Sequence, residues 1–240
     1  MPRGSGEGGT AVGGSGERPS GAPTAYLCSF FGGTPTVAKR QSALVRTGDR
    51  CQRMLLLASG WAARERLERA DRRVILDLYL PGDLIGLDHL FGDTAQDTVV
   101  ALTAITYYSL PLDQLRQTLR GNAELALDVA RCLSEEKQRL ERLNTHLAVL
   151  SALERTMAGL HDLCGRLSAK GLSADAGGQA AFRLPLTQQQ LADYLGLHVM
   201  HLSRTLRTMR AAEIVKVENG TIVIENVGRL AGTPTAEVEA

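Results

Sequence analysis

Between Asn122 and Leu150 the chain contains neither Gly nor Pro and is rich in Leu, Glu, Arg and Ala, a composition that predicts one long helix. At about 1.5 Å per residue, it would reach about 40 Å. Its apolar residues fall on a heptad, with Ala126, Leu133, Leu140 and Leu147 at one core position and Val129, Leu143 and Leu150 at the other. Only Glu136 interrupts the seam. A 3.5-residue repeat held over this length favours a two-stranded contact over packing on the helix's own domain, so these residues are the expected interface of a homodimer.

The rest of the chain is read around this helix. Residues 1–24 are dominated by Gly, Ser and Pro, which bury too little apolar surface to offset chain entropy, and are expected to form a disordered tail. Residues 25–115 carry short apolar runs, LLLASGWAA, VILDLYL, TVVALTAI and TYYSLPL, broken by turn signals at Thr47-Gly48-Asp49 and Pro81-Gly82-Asp83. That pattern predicts a small antiparallel β-barrel or jelly roll. Residues 116–150 are the region of the long helix. A second helical stretch runs from Ser151 to about Ser168, and LSAKGLSADAGGQAA after it reads as a flexible loop. Residues 233–240 are expected to be a flexible tail.

The chemistry lies between residues 187 and 226. Thr187 and Gln190 form a capping box that starts a helix at Thr187. Ala192 is small where two helices would cross, Gly196 stands where a turn needs positive φ, and Leu202 falls on the buried face of a second helix. That second helix opposes an apolar face to a basic one carrying Arg204, Arg207 and Arg210, with His198 and His201 at its start. Val215 to Ile224 then alternates about Asn219-Gly220, a strong hairpin signal. Residues 151–232 therefore predict a winged helix-turn-helix, and the whole chain an α+β protein: a β-roll, a long dimerisation helix and a C-terminal DNA-binding domain.

Composition narrows the function classes. The 27 basic and 26 acidic residues leave a formal charge of +1, so nucleic-acid binding must come from that local cluster. No apolar run has the length of a membrane span and the N-terminus lacks an apolar signal core, so the expected location is the cytoplasm, without membrane contact. Cys28, Cys51, Cys132 and Cys164 include no CxxC pair and read as reduced thiols, with no metal site predicted. A nucleophile elbow, P-loop, dinucleotide fingerprint and HExxH motif are all missing from the sequence, which argues against an enzyme.

Pro81-Gly82-Asp83-Leu84-Ile85-Gly86, the long helix and LTQQQLADYLGLHVMHLSRTLRTMR together resemble the CRP/FNR family of bacterial transcription regulators. The resemblance implies a cyclic-nucleotide-binding-like β-roll, a dimer helix and a winged helix that binds double-stranded DNA at an inverted repeat. It also implies contact with RNA polymerase and activation, with repression the alternative. By the family's recognition-helix motif, Met200 stands where a glutamate would be, and Ser203 and Arg204 follow it. Arg204 can pair with guanine O6 and N7, whereas Met200 cannot accept from cytosine N4. His198, Val199, His201 and Arg207 complete the expected DNA contacts, and Thr187 and Gln188 offer a helix N-terminus to a phosphate.

Departures from the family concern the effector. Cyclic-AMP-binding members hold ribose with a Gly-Glu pair and phosphate with an Arg-Ser pair; here those positions read Gly86-Leu87 and Asp97-Thr98. An aspartate where an anion must sit disfavours cyclic AMP. Cys28 stands alone where oxygen-sensing members cluster cysteines for an iron–sulfur centre. No cofactor is predicted. Haem with His89 or Cys51, another small molecule in the β-roll, a redox thiol at Cys28 or Cys51, and control by abundance alone stay open.

Overall fold

A computed structural model describes residues 27–68, 73–172, 174–176, 179–218, 221–224 and 227–230. The two expected tails and the Asn219-Gly220 turn lie outside the described residues. The N-terminal strands are β1 Thr36–Ala38, β2 Ala43–Val45, β3 Arg53–Ser59, β4 Ala62–Leu67, β5 Arg73–Tyr79, β6 Leu84–Ile85, β7 Thr98–Ala101 and β8 Ile105–Pro111. They form two antiparallel sheets, β1-β8-β3-β6 and β2-β7-β4-β5. Leu55, Leu57, Ile85 and Ile105 of the first meet Ala62, Tyr79, Val99 and Ala101 of the second in the barrel core. Strand β3 is apolar on both faces because Met54 enters a different cluster, against the helices. This explains why it reads as a continuous apolar run with no alternation.

Three helices follow: α1 Leu112–Gly121, α2 Ala123–Val149 and α3 Ala152–Ala169. The long helix α2 begins at Asn122, whose side chain accepts from the Leu125 N–H at 3.0 Å. After Leu150, Ser151 and Glu154 form a capping box that starts α3. Arg155 donates through Nη2 to the carbonyls of Leu147 and Leu150, each at 3.1 Å, satisfying acceptors that the end of α2 leaves open.

The heptad of α2 is divided between two faces. Leu125, Val129 and Cys132 are buried against the barrel, and Glu136, Arg139, Leu143, His146 and Leu150 continue that stripe half-buried within the same chain. Val129 and Leu143, expected at a partner seam, are therefore packed into their own protomer. Glu136, the apparent flaw, turns inward to pair with Arg64 of β4 at 3.3 Å. The outward stripe is Ala126, Ala130, Leu133, Lys137, Leu140, Asn144 and Leu147, exposed or half-buried.

One buried acid ties these elements together. Asp77 of β5 has no solvent exposure. Its carboxylate accepts from the Leu78 N–H at 2.8 Å and from Arg139 of α2, and Nη1 of Arg166 on α3 lies 3.8 Å away. Nη2 of Arg166 donates to the Leu78 carbonyl at 2.6 Å and to Asp83 at 3.0 Å, while Lys170 reaches Asp83 at 2.8 Å. The Pro81-Gly82-Asp83 turn is thus fastened to α3.

The C-terminal part comprises β9 Ala174–Ala176, β10 Gln179–Leu184, α4 Gln188–Leu195, α5 Val199–Ala211, β11 Val215–Glu218, β12 Thr221–Ile224 and α6 Val227–Leu230. Its sheet has the order β11-β12-β10-β9. The stretch expected to be a flexible loop instead ends α3 and supplies β9 and the start of β10, so the wing has four strands among the described residues. Burial of Phe182 and Leu184 in the core anchors β10. A continuous apolar cluster joins the barrel's outer face, through Trp61, Ala63 and Ile75, to Leu160 and Leu163 of α3 and to Leu191, Leu195, Leu202 and Leu206 of the helix-turn-helix.

Removing one member of a buried ion cluster leaves the others uncompensated. Asp77→Ala is therefore expected to lower unfolding free energy by about 3 to 5 kcal/mol in urea titration, whereas a loss below about 1 kcal/mol would mean that Arg139 and Arg166 are not held by this acid.

Candidate nucleic-acid interface

The reading head is shaped by two helix ends. At the first, Thr187 Oγ1 accepts from the Gln190 N–H at 3.1 Å and Gln190 Oε1 accepts from the Thr187 N–H at 2.9 Å, completing the expected capping box. Helix α4 ends at Gly196, which has φ 64° and ψ 32° in the left-handed region. A Cβ there would come within 2.6 Å of Leu147 Cδ2, so the turn sits against the end of α2. Ala192 and Leu202 are fully buried where α4 and α5 cross. Gly159 of α3 lies under Leu195, whose side chain a Cβ would overlap.

Helix α5 buries Leu202, Thr205, Leu206 and Met209 and turns Met200, His201, Arg204 and Arg207 to solvent. The spacing of these four residues makes a single stripe along one face. His198 caps the helix, its Nδ1 accepting from the Met200 N–H at 3.3 Å, which leaves Nε2 to donate outward. Its ring meets that of His201 edge to face, with centroids 6.4 Å apart. Met200 is 57% exposed, an apolar side chain in the middle of a cationic surface. Of the other expected contacts, Thr187 is exposed, Gln188 and Ser203 are half-buried, and Val199 packs partly against the core. Arg210 is drawn back to its own helix, donating to the Leu206 carbonyl at 3.4 Å.

A polar contact that sequence reasoning missed links this head to the barrel. Arg73 at the start of β5 donates to Asp193 Oδ2 of α4 through Nε at 3.0 Å and Nη2 at 2.8 Å. Gln189 donates to the other carboxylate oxygen at 2.7 Å. The partners lie 120 residues apart and no local signal in either segment points to the other.

The positions expected to govern an effector hold an aspartate and a buried leucine. Asp97 accepts from Arg66 Nε at 2.6 Å, and Leu87 is buried in the cluster against the helices. A cavity beside α2 measures about 80 Å³ and is lined by Tyr79, Leu87, Glu136 and Arg139, among others, and another of about 310 Å³ is bordered by Cys51, His89 and Tyr107. His89 is buried beneath Gly86, where a Cβ would lie 2.7 Å from its Nδ1. Among the described residues no group of three or more His, Cys, Asp or Glu side chains is placed to hold a metal ion. Burial raises the pKa of Cys28 and Cys51 and pushes Cys132 up to about 11 and Cys164 up to about 12. All four are protonated at neutral pH, the unreactive form of a thiol.

The end of α5 offers a test of the local backbone. Glu213 has φ 55°, the Glu213 N–H donates to the Arg210 carbonyl at 3.0 Å, and the Ile214 N–H donates to that of Met209 at 2.9 Å. This is a Schellman ending with glutamate where glycine is ordinarily found. Glu213→Gly is expected to gain about 1 kcal/mol and Gly196→Ala to lose about 1 to 2 kcal/mol in thermal unfolding, because the left-handed region penalises any Cβ. Equal and small effects at both sites would contradict these turn geometries.

Two family descriptions match the chain: a cyclic nucleotide-binding domain over residues 35–122 and a Crp-like helix-turn-helix domain over residues 154–233. An anaerobic regulatory protein of Aggregatibacter actinomycetemcomitans is 27% identical over 192 residues, covering 80% of this chain and 73% of its own. The transcriptional activator protein FnrA of Stutzerimonas stutzeri is 25% identical over 191 residues, covering 79% and 76%. The solved structure of FixK2 from Bradyrhizobium japonicum superposes with a TM-score of 0.73 at 22% identity, over 82% of this chain and 94% of that one. No described helix is long and apolar enough to cross a membrane. With a β-roll, a long connecting helix and a winged helix-turn-helix in that order, the chain belongs to the CRP/FNR family and is a DNA-binding transcription regulator.

Proposed function

We propose that this regulator acts in the cytoplasm as a homodimer on an inverted-repeat DNA site and activates transcription through contact with RNA polymerase. The observation that carries the reading is the solvent-facing stripe of α5, which presents Met200, His201, Arg204 and Arg207 on one face. Arg204 is assigned to base readout, since its guanidinium fork matches O6 and N7 of one guanine. Met200 places an apolar group where a carboxylate would read cytosine and suits a thymine methyl instead. His198, His201 and Arg207, with the Thr187 end of α4, are assigned to phosphates. Ser203 and Val199 support the helix at the groove edge.

The dimer face we propose is the outward stripe of α2, built on Ala126, Leu133, Leu140 and Leu147; Leu150, also expected there, follows the inward stripe. Val129 is left out because it is buried in its own protomer and Leu143 because it lies on the inward stripe; Leu133 also touches its own core but lies on the outward stripe. Activation follows the function named for the Stutzerimonas relative. Cyclic AMP is not the effector in this reading. Asp97, an anion where the phosphate would sit, is paired with Arg66, and Arg64 is paired with Glu136.

Two experiments test this. A recognition helix in each of two successive major grooves places half-site centres about 34 Å apart. Competition binding across single-base variants at several salt concentrations should show Arg204→Ala losing about 1 to 3 kcal/mol at one guanine, and Arg207→Ala weakening all DNA alike with a salt slope lower by about one. Full base preference in Arg204→Ala would contradict the assigned register. Replacing both Leu133 and Leu140 by Glu should yield monomers in sedimentation and abolish specific binding, since each buried leucine supports the contact by about 2 to 5 kcal/mol. An unchanged dimer would remove this face from the interface.

A further inference from the structure

The cavity beside α2 measures about 80 Å³ and is walled by paired charges. Much larger openings lie outside the barrel, between its outer sheet and the reading head. Two clefts of about 850 and 890 Å³ share Glu65, Leu67 and Arg73 and make one groove. Over the sheet, Arg40, Arg46, Arg66 and Arg73 line it together with Glu65, with Gln190 of α4 opposite, and Asp193 lines the part beside the helices. Its far end reaches His198 at the start of α5.

These arginines are not equivalent. Arg66 is engaged by Asp97, and Arg73 is held between Asp193 at 2.8 Å and Glu65 at 3.9 Å. Arg40 and Arg46 are exposed and their guanidinium groups pair with no carboxylate among the described residues, while the Arg46 backbone N–H donates to Asp49 at 2.9 Å. A groove of this volume accommodates a nucleotide-sized ligand, and arginine forks from several separate segments suit phosphate oxygens. We propose that this groove is an effector site for a nucleotide carrying two or more phosphates, held by Arg40, Arg46 and Arg73. The bond from Arg73 to Asp193 forms its wall, so a phosphate that recruits Arg73 competes with the tie between β5 and α4. Ligand binding and release of the reading head are then two sides of one coupling, and by reciprocity weakening the tie must strengthen the ligand. This inference does not depend on how α5 reads bases.

Isothermal titration of the full chain without DNA, using pyrophosphate, ATP and GTP as probes, tests it. Each probe is expected to bind saturably with Kd below about 1 mM. The double variant Arg40→Ala, Arg46→Ala should bind at least about tenfold more weakly, the loss of charge-assisted bonds to phosphate. Asp193→Asn should bind more tightly than the parent, and Arg204→Ala should bind equally well, which separates the groove from the recognition helix as a seat for polyanions. The proposal is overturned if none of the three probes saturates, if Arg204→Ala rather than the double variant loses binding, or if Asp193→Asn leaves affinity unchanged or lower.

Discussion

A carboxylate with no solvent exposure persists only where cations and N–H groups replace its water, and Asp77 finds them on elements far apart in the chain. Arg139 comes from α2, Arg166 from α3 and the Leu78 N–H from β5 itself. Because the acid needs both arginines, it sets where the long helix crosses the barrel and where α3 lies against it. Helix α3 in turn presents Gly159 to Leu195 and Arg155 to the Gly196 carbonyl at 3.4 Å, so the position of the reading head follows from the same constraint. Arg166 and Lys170 extend the cluster to Asp83, which is why the Pro81-Gly82-Asp83 turn belongs to the junction as much as to the barrel.

Apolar packing completes what the ions position. The cluster running from Trp61 and Ile75 through Leu160 to Leu202 and Leu206 leaves no solvent layer between the barrel's outer face and the helix-turn-helix along that line. Burial of this kind is the larger share of the stability, at about 25 cal/mol per Å² of apolar surface, while the ions select one arrangement among those the apolar faces would allow. The groove with its arginines borders this contact, and the Arg73–Asp193 pair is its polar edge.

Much of this was legible from local patterns. The Thr187 box, the left-handed Gly196, the buried Ala192 and Leu202, and the exposed Arg204 and Arg207 are all set within a few residues of chain, where capping, turn geometry and helical period act directly. The helix from Asn122 to Leu150 was equally plain. Its partner was not: a 3.5-residue repeat says that a stripe is buried but not by what, and Val129 and Leu143 proved to face their own barrel and core. Glu136 looked like a flaw in the seam only because Arg64 stands 72 positions earlier, beyond any pattern in sequence. The β9 and β10 strands were hidden for a related reason. Alanine carries little strand signal, and the pairing of β9 with the start of β10, which β12 holds at Phe182–Leu184, supplies what the side chains do not.

The central claim is that barrel, long helix and reading head open as one cooperative unit tied at Asp77. Native-state amide hydrogen exchange of the free protein, resolved by segment, tests it most directly. The protected amides of β5, the middle of α2 and α4 are expected to share one opening free energy, and Asp77→Ala to lower all three together. Exchange of α4 and α5 at a lower free energy than β5, unmoved by that substitution, would contradict it.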